Sequence, residues 1–141
     1  MGNFLKSILV SSAFCFGFAA MAYDLEFNGG KLEENMKSIG EKFSDIGKRI
    51  KDPSRNAEQA DDTAVIRKLF IEVIELVPKK VMEMPPDQQR GALITFQKLI
   101  GKIVAASAEM ESAFLANNQD EAKKQFAIMA ELKKAGHDLF K

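Results

Sequence analysis

The sequence predicts an all-α protein that folds as an antiparallel, up-down-up-down bundle of four helices. Apolar residues recur every three or four positions along four long segments, which is the spacing of one face of an amphipathic helix. No segment alternates apolar and polar residues as a half-buried strand does. The connections between the segments are short, and short connections favour antiparallel neighbours.

Composition excludes several classes of protein. The 141 residues are 46% hydrophobic and 28% charged, with 20 basic and 20 acidic side chains, so neither a basic nucleic-acid-binding patch nor an acidic disordered tail is expected. One His and one Cys exclude zinc fingers and multi-histidine metal sites. The sequence contains no phosphate-binding glycine loop and no hydrolase motif. We therefore expect a single domain that is not an enzyme.

Residues 1–22 have the pattern of a secretory signal peptide. Lys6 is their only charged residue, a short apolar run follows, and Ala20-Met21-Ala22 places small residues at the −3 and −1 positions. The run is shorter than the roughly 18–20 residues of a membrane-spanning helix. We therefore predict cleavage after Ala22, export to the periplasm without a membrane anchor, and a mature domain of residues 23–141 that contains no Cys.

Two helices are predicted before Pro78. The first spans Lys31 to Lys51, and its buried stripe consists of Leu32, Met36, Ile39, Phe43, Ile46 and Ile50. A polar connection from Arg55 to Asp62 follows, and Asp62 or Thr63 then caps the second helix. Pro78 ends or kinks this helix. Its inner face consists of Ile66, Leu69, Phe70, Val73, Ile74 and Val77.

Two more helices are predicted after Pro86. The segment between Pro78 and Pro86 is interpreted as a loop with room for one helical turn at Val81–Met82. Asp87 caps the third helix, which runs through Phe114 and ends at Asn117-Asn118. The fourth helix begins near Asp120. Its inner face consists of Ala122, Phe126, Met129, Leu132, Lys133, Gly136, His137 and Phe140.

The functional hypothesis depends on Met36 and His137. In an antiparallel bundle the start of the first helix and the end of the fourth lie at the same end of the molecule, so both side chains can point into it from facing helices. A thioether and an imidazole opposed across an apolar slot are axial ligands of a haem iron. Each residue also has a simpler interpretation, because a Met on a helix face usually fills the core and a His near a helix end is usually solvated.

The sequence around these residues resembles the cytochrome b562 family. The resemblance rests on Asp24-Leu25, on Leu32-Glu33-Glu34-Asn35-Met36-Lys37, on the stretch Phe96–Ile103 and on His137. It covers the mature chain in the order and length of its helices. It implies an exported b-type cytochrome with one non-covalent haem, Met36 and His137 as ligands of the iron, and Ile39 and Phe96 against the porphyrin.

The end of the sequence is also similar to the cytochromes c′. Residues 133–141 resemble the segment in which those proteins attach haem through Cys-x-x-Cys-His. Lys133 and Gly136 occupy the two cysteine positions here, so no thioether bond to haem can form. This departure favours a haem held by coordination and packing alone.

A haem slot needs apolar walls and room for a flat group. The expected walls are Leu32, Ile39, Phe43, Leu93, Phe96, Ile100 and Phe140. The same residues could form plain core, which is the favoured interpretation for Phe43 and Ile100. Room for a flat group is suggested by Gly40, Gly101 and Gly136, with close helix packing as the alternative.

Several basic and sulfur-containing side chains near the predicted slot are also candidates for contact with the haem. Lys133, one turn before His137, can reach a haem propionate, and the other basic candidates are Lys79, Lys80 and Arg90. Met82 and Met84, in the predicted loop, are alternative thioether ligands or a soft-metal site, and packing is the favoured interpretation.

Together these observations predict a small electron carrier of the periplasm. Its partners would be haem b and unidentified redox proteins, with no nucleic acid, and it would be a monomer or weak dimer. Iron held by both Met and His is six-coordinate and has no vacant position, which argues against substrate chemistry. Two alternatives stay open. One is a haem-free binding or chaperone-like module with the same fold, and the other is a five-coordinate gas-binding cytochrome in which Met36 does not ligate.

Overall fold

The structure, a computed structural model, describes residues 25–141, so the predicted signal peptide lies outside the described residues. Its helices are α1 (Gly29–Arg49), α2 (Asn56–Val73), α3 (Lys79–Met82), α4 (Pro86–Leu115) and α5 (Gln119–Phe140), with a short 3₁₀ helix at Pro53–Arg55. Helices contain 84% of the described residues, and none of those residues lies in a strand. The predicted all-α class is therefore confirmed.

The core forms from the apolar stripes of the four long helices, because a stripe must pack against another element to leave water. Helix α1 contributes the buried residues Ile39, Phe43 and Ile46, as its spacing predicted. The largest fully buried side chains elsewhere in the core include Ile66, Ile103, Met110, Phe114 and Met129. The predicted Met36, in contrast, is only partly buried and packs at the margin of this cluster.

Helix α2 begins earlier than its polar sequence suggested, and the predicted connection from Arg55 to Asp62 is wrong. Asp52 caps the 3₁₀ helix by accepting a hydrogen bond from the Ser54 amide at 3.0 Å. Helix α2 continues directly from that turn. In its first turns Asn56 donates a hydrogen bond of 3.1 Å to the Asn117 side chain, and Gln59 donates one of 3.3 Å to the Asp52 carbonyl. Thr63 is an interior residue whose hydroxyl donates to the Gln59 carbonyl at 2.7 Å, so it does not cap the helix.

The Pro78–Pro86 segment contains the one turn that the sequence allowed, which is α3. Val81 of this turn is fully buried and anchors the segment to the core. Asp87 is not the cap of the next helix. Pro85 occupies the cap position and Pro86 begins α4, where the missing amide hydrogen of a proline costs nothing.

The connection between α4 and α5 is as short as predicted. Asn117 adopts a positive φ of 53°, a backbone conformation that Asn tolerates better than most residues. Asn118 then caps α5, since its side-chain oxygen accepts a hydrogen bond from the Glu121 amide at 3.2 Å. Helix α5 therefore follows α4 after only a few residues.

Close backbone packing joins α1 to α2, α2 to α4, and α4 to α5, and α3 lies against α4 and α5. Among the described residues, α4 alone is long and apolar enough to span a membrane, a test that the core helix of a soluble protein also meets. Nine residues of α4 are buried, and it packs against three other helices. It is thus the central helix of the fold.

Candidate ligand-binding cavity

Helices α1 and α5 contact each other where α1 ends and α5 begins. The rings of Phe43 and Phe126 stack with centroids 4.2 Å apart and planes 7° from parallel. The side-chain amide of Gln119 donates a hydrogen bond of 2.6 Å to the Ile50 carbonyl. A Cβ atom on Gly47 would lie 2.9 Å from the Phe126 ring, so the two helices are in close contact there.

The same two helices separate toward the start of α1. Gly40 lies two turns before Gly47 on the same face, and a Cβ atom on Gly40 would meet no atom within 4 Å. Space therefore opens between α1 and α5 over the first half of α1 and the second half of α5. This space is a cavity of about 620 Å³, within the range of about 300–1,000 Å³ that is typical of cofactor sites.

The walls of the cavity are mostly apolar. They consist of Leu32, Met36, Phe70, Phe96, Leu99, Ile100, Ile103 and Phe140, together with Gly29, Gly40, Pro78 and Gly136. Phe96 and Phe140 form an edge-to-face pair with centroids 5.3 Å apart and planes at 78°, a favourable geometry for two aromatic quadrupoles. Helix α4 thus supplies the floor between the two separated helices.

Met36 and His137 both line this cavity, Met36 from α1 and His137 from α5. Each lies in the half of its helix where α1 and α5 are apart. Phe96 and Lys133 line the same cavity, so four of the five predicted site residues lie around one space. The fifth, Ile39, is 1% exposed and lies in the core, outside the cavity lining.

The environment of His137 favours its neutral form. Burial lowers the pKa of the His137 imidazole, and the nearby ammonium groups of Lys141 and Lys133 lower it further, whereas Asp138 acts in the opposite direction. The ring is therefore neutral at neutral pH, the protonation state in which imidazole can donate a nitrogen lone pair to a metal. Partial burial of the ring also limits competition from water.

Lys133 lies over the ring of Phe43, with its Nζ 5.5 Å from the ring centroid. This is within the range of a cation–π contact. Because Phe43 itself stacks on Phe126, Lys133 marks the inner end of the cavity, where α1 and α5 meet. The side chain is half-buried, and its aliphatic stem contributes to the wall.

Sequence reasoning missed several lining residues. Lys37 and Lys141 both line the cavity. Lys141 lies one turn after His137, but Lys37 directly follows Met36 and so lies on a different face of its helix. Leu99 also lines it and lies near Gly136, where a Cβ atom would be 3.2 Å from the Leu99 side chain. Periodicity placed Leu99 beside the apolar stripe of α4 and gave no indication that its side chain would line a cavity.

The other residues predicted near the slot are only partly at the cavity. Of the basic candidates, Lys79 lines it, whereas Lys80 and Arg90 are not among the lining residues. Neither Met82 nor Met84 lines it, and Met82 packs against the core instead. Three further residues predicted as walls or spacers lie outside the cavity: Phe43, Leu93 and Gly101. Met36 is therefore the one methionine of the described chain that lines this cavity.

The possible metal-ligating side chains of the cavity suit a metal that is already bound within a larger organic group. Among residues 25–141, no three His, Cys, Asp or Glu side chains lie together as a metal-binding group. Met36 and His137 offer one soft and one nitrogen donor, which suits an iron whose remaining ligands belong to a porphyrin. The apolar walls and the open space beside Gly40 suit its flat ring.

Comparisons of this chain with protein families, with curated proteins and with solved structures found no match.

Proposed function

We propose that this protein is an exported electron carrier that binds one haem b non-covalently in the cavity between α1 and α5. Met36 and His137 would be the two residues that hold the iron. The observation that carries the proposal is that the Met36 thioether and the His137 imidazole line one mostly apolar cavity from two different helices. When bound, the haem would supply a single-electron couple between ferric and ferrous iron.

The proposed topology is an antiparallel up-down-up-down bundle of α1, α2, α4 and α5, with α3 as an added turn. The connections before α2 and before α5 are short, and each long helix packs on the next long helix in the chain. Both features are typical of such bundles. In this topology the start of α1 and the end of α5 share one end of the molecule, as the proposed ligand pair requires.

Four cavity residues have a role in this proposal. His137 would provide the stronger bond to the iron, because its imidazole is the only one in the sequence and burial favours its neutral form. Met36 would provide the weaker thioether bond, which would raise the reduction potential by favouring ferrous iron. Phe96 and Phe140 would exclude water from the bound haem. Because the chain would supply both of these ligands, the proposal assigns no enzymatic activity.

Retention of haem would depend on coordination and packing, since Lys133 and Gly136 stand where a covalently attaching sequence has cysteines. Export rests on the signal-peptide pattern of residues 1–22. We propose a monomer or weak dimer that meets its redox partner proteins in the periplasm through transient contacts.

Absorption spectroscopy tests the ligand set. The haem-free protein is titrated with haem, and spectra are recorded for the ferric form, the ferrous form and the ferrous form under carbon monoxide. We expect one haem per chain and sharp ferrous bands that carbon monoxide does not change. A protein that shifts no Soret band on titration would be the haem-free module. A ferrous spectrum that responds to carbon monoxide at neutral pH would indicate a five-coordinate gas-binding site.

Three methionine variants identify the second ligand. Met36→Ala should open one axial position, so that the ferrous form binds carbon monoxide and the reduction potential falls. Met82→Ala and Met84→Ala are matched controls, because neither residue lines the cavity, and they should leave both properties unchanged. His137→Ala should remove most of the haem affinity. An altered spectrum in a control variant together with an unaltered one in Met36→Ala would exclude Met36 as the ligand.

A further inference from the structure

Three side-chain amides with buried oxygens lie where the α1–α2 connection meets the α4–α5 turn, at the end of the molecule where α1 and α5 are in contact. Asn56, the first residue of α2, is 4% exposed, and Gln59 of the same helix is fully buried. Gln119 is the first residue of α5 and is half-buried. The amide oxygens of all three are buried and have no hydrogen-bond partner among residues 25–141.

The nitrogen atoms of the two glutamine amides determine how these amides are oriented. Gln59 Nε2 donates a hydrogen bond to the Asp52 carbonyl at 3.3 Å, and Gln119 Nε2 donates one to the Ile50 carbonyl at 2.6 Å. A reversed amide would place its oxygen against a carbonyl oxygen, and two acceptors repel each other. Both glutamines therefore present an oxygen, and not a nitrogen, as the unpartnered atom.

The same hydrogen bonds bring the three amides into one small region. The carbonyls that accept from Gln59 and Gln119 are only two residues apart in the chain. Asn56 lies one turn before Gln59 on the same face of α2, and its nitrogen donates to Asn117, two residues before Gln119, at 3.1 Å. Because each amide nitrogen is already engaged, this junction offers a ligand its oxygens.

We propose that the junction binds one monovalent alkali cation, sodium or potassium, through the amide oxygens of Asn56, Gln59 and Gln119. Carbonyl oxygens are hard donors that coordinate such ions. These three are neutral and therefore suit an ion of charge one, whereas sites for divalent cations usually include carboxylates. The bound ion would join the start of α2 to the start of α5, away from the cavity.

A cation satisfies these oxygens better than a single water molecule does. A buried carbonyl oxygen without a partner costs folding free energy. Water donates only two hydrogens, so it can partner two of the three oxygens, and its own lone pairs then need donors. A cation can contact three oxygens at once and needs no donor.

The charges around the junction permit a positive ion. Arg49 bridges the carboxylates of Glu58 and Asp62, and Arg55 also pairs with Glu58, so both guanidinium charges are balanced. Lys51 is exposed to solvent. Helices α1 and α4 end near the junction and α2 and α5 begin there, so the negative and positive ends of the helix dipoles offset each other.

Thermal unfolding in matched salts tests the site. The Tm of the purified protein is measured in the chlorides of sodium, potassium and tetramethylammonium at one ionic strength, so that general screening is equal. Tetramethylammonium is the reference, because its methyl groups prevent close coordination. We expect sodium or potassium to raise the Tm by about 3–6 °C over the reference, with a rise that saturates as one site requires.

Two variants of Gln119 separate this site from general salt effects. Gln119→Leu removes one oxygen and should abolish most of the Tm difference between the alkali salt and the reference. Gln119→Glu supplies a charged oxygen instead, so the rise should reach half of its maximum at an about tenfold lower cation concentration.

Gln125→Leu is the matched control, because Gln125 is a buried glutamine of the same helix whose amide nitrogen donates to Glu121 at 2.7 Å. It should leave the difference between salts intact, whatever it does to the Tm itself. Equal Tm values in all three salts, or the same salt dependence in Gln119→Leu as in Gln125→Leu, would overturn the inference and leave ordered water as the partner of these oxygens. The measurement requires no haem, so its failure would leave the proposed function standing.

Discussion

The two ends of the molecule differ in how α1 and α5 are joined. At the packed end, where α1 ends and α5 begins, Phe126 stacks on Phe43 and Gln119 hydrogen-bonds the Ile50 carbonyl. At the cavity end, the same helices separate and leave about 620 Å³ between them. Tight packing at one end allows a cavity at the other, because α4 and α2 hold both helices in place.

Polar contacts also concentrate at the packed end. Arg49 bridges the carboxylates of Glu58 and Asp62, and its Nη2 lies 2.7 Å from the Asp62 Oδ2. Asn56 donates a hydrogen bond of 3.1 Å to Asn117, which connects the start of α2 to the α4–α5 turn. The cavity end has its charges arranged around a space instead. Stability is thus expected to reside mainly at the packed end.

The largest expected effect on stability comes from replacing one phenylalanine at each end of the molecule with alanine. Phe114, 1% exposed in the core on α4, should lose about 3–5 kcal/mol of unfolding free energy on substitution by Ala. Phe140 is half-buried beside the cavity, and Phe140→Ala should cost about 1–2 kcal/mol in the haem-free protein. Urea denaturation measures both. Equal losses would show that the cavity end is as tightly packed as the other.

Binding of haem should reduce this difference in stability between the packed end and the cavity end. A ligand that binds only the folded state and is present at about 100–1,000 times its dissociation constant stabilises by about 3–4 kcal/mol, or about 10–20 °C in Tm for a domain of this size. Hydrogen exchange should slow most in the first half of α1 and the second half of α5. An unchanged Tm, or protection confined to the packed end, would contradict a haem site between these halves.

A smaller effect tests the ion pairs of the packed end through pH. Burial acts to raise the pKa of Asp62, but hydrogen bonds from Arg49 and Lys42 outweigh it, so this pKa lies below its usual value. A carboxylate with a depressed folded-state pKa stabilises above its unfolded pKa of about 3.9 and loses that contribution as pH falls through the folded value.

Asp62→Asn should therefore cost about 1 kcal/mol at pH 7 and almost nothing at strongly acidic pH, as measured by urea denaturation across pH. Asp45→Asn is the matched control, because the Asp45–Lys48 pair is exposed and should contribute close to zero at any pH. A cost for Asp62→Asn that does not change with pH would mean that packing, and not charge, explains it.

The sequence predicted the two ends unequally. Periodicity found the stripes of α1 and α4 because burial of an apolar face determines them locally, and Asn117-Asn118 marked the α4–α5 turn. It missed the first two turns of α2, where polar Asn56 and Gln59 are buried by contacts with other parts of the chain. Such contacts are tertiary and leave no periodic signal.

The candidate site shows the same division. The sequence pattern was sufficient to place Met36 and His137 at one cavity, because helix register alone determines on which face of a helix a residue lies. Ile39 lies in the core, since only the separation of α1 from α5 decides which side of the stripe borders the cavity. The lining residues Lys37 and Lys141 depend on that same separation, which no local pattern encodes.

The most direct test of the account fills the cavity without disturbing the fold. Gly40 lines the cavity and Gly101 does not, yet a Cβ atom at either position would meet no atom within 4 Å. Gly40→Leu and Gly101→Leu are therefore matched substitutions, and each replaces a glycine within a helix, which should leave stability unchanged or raise it by up to about 1 kcal/mol.

Haem titration of the two variants, followed at the Soret band, is the decisive measurement. We predict that Gly101→Leu binds one haem with the affinity of the unmodified protein, whereas Gly40→Leu loses binding because its side chain occupies the space between α1 and α5. Far-ultraviolet circular dichroism and Tm verify that both variants are folded. Unchanged haem affinity in a folded Gly40→Leu variant would contradict the claim that this cavity is the haem site.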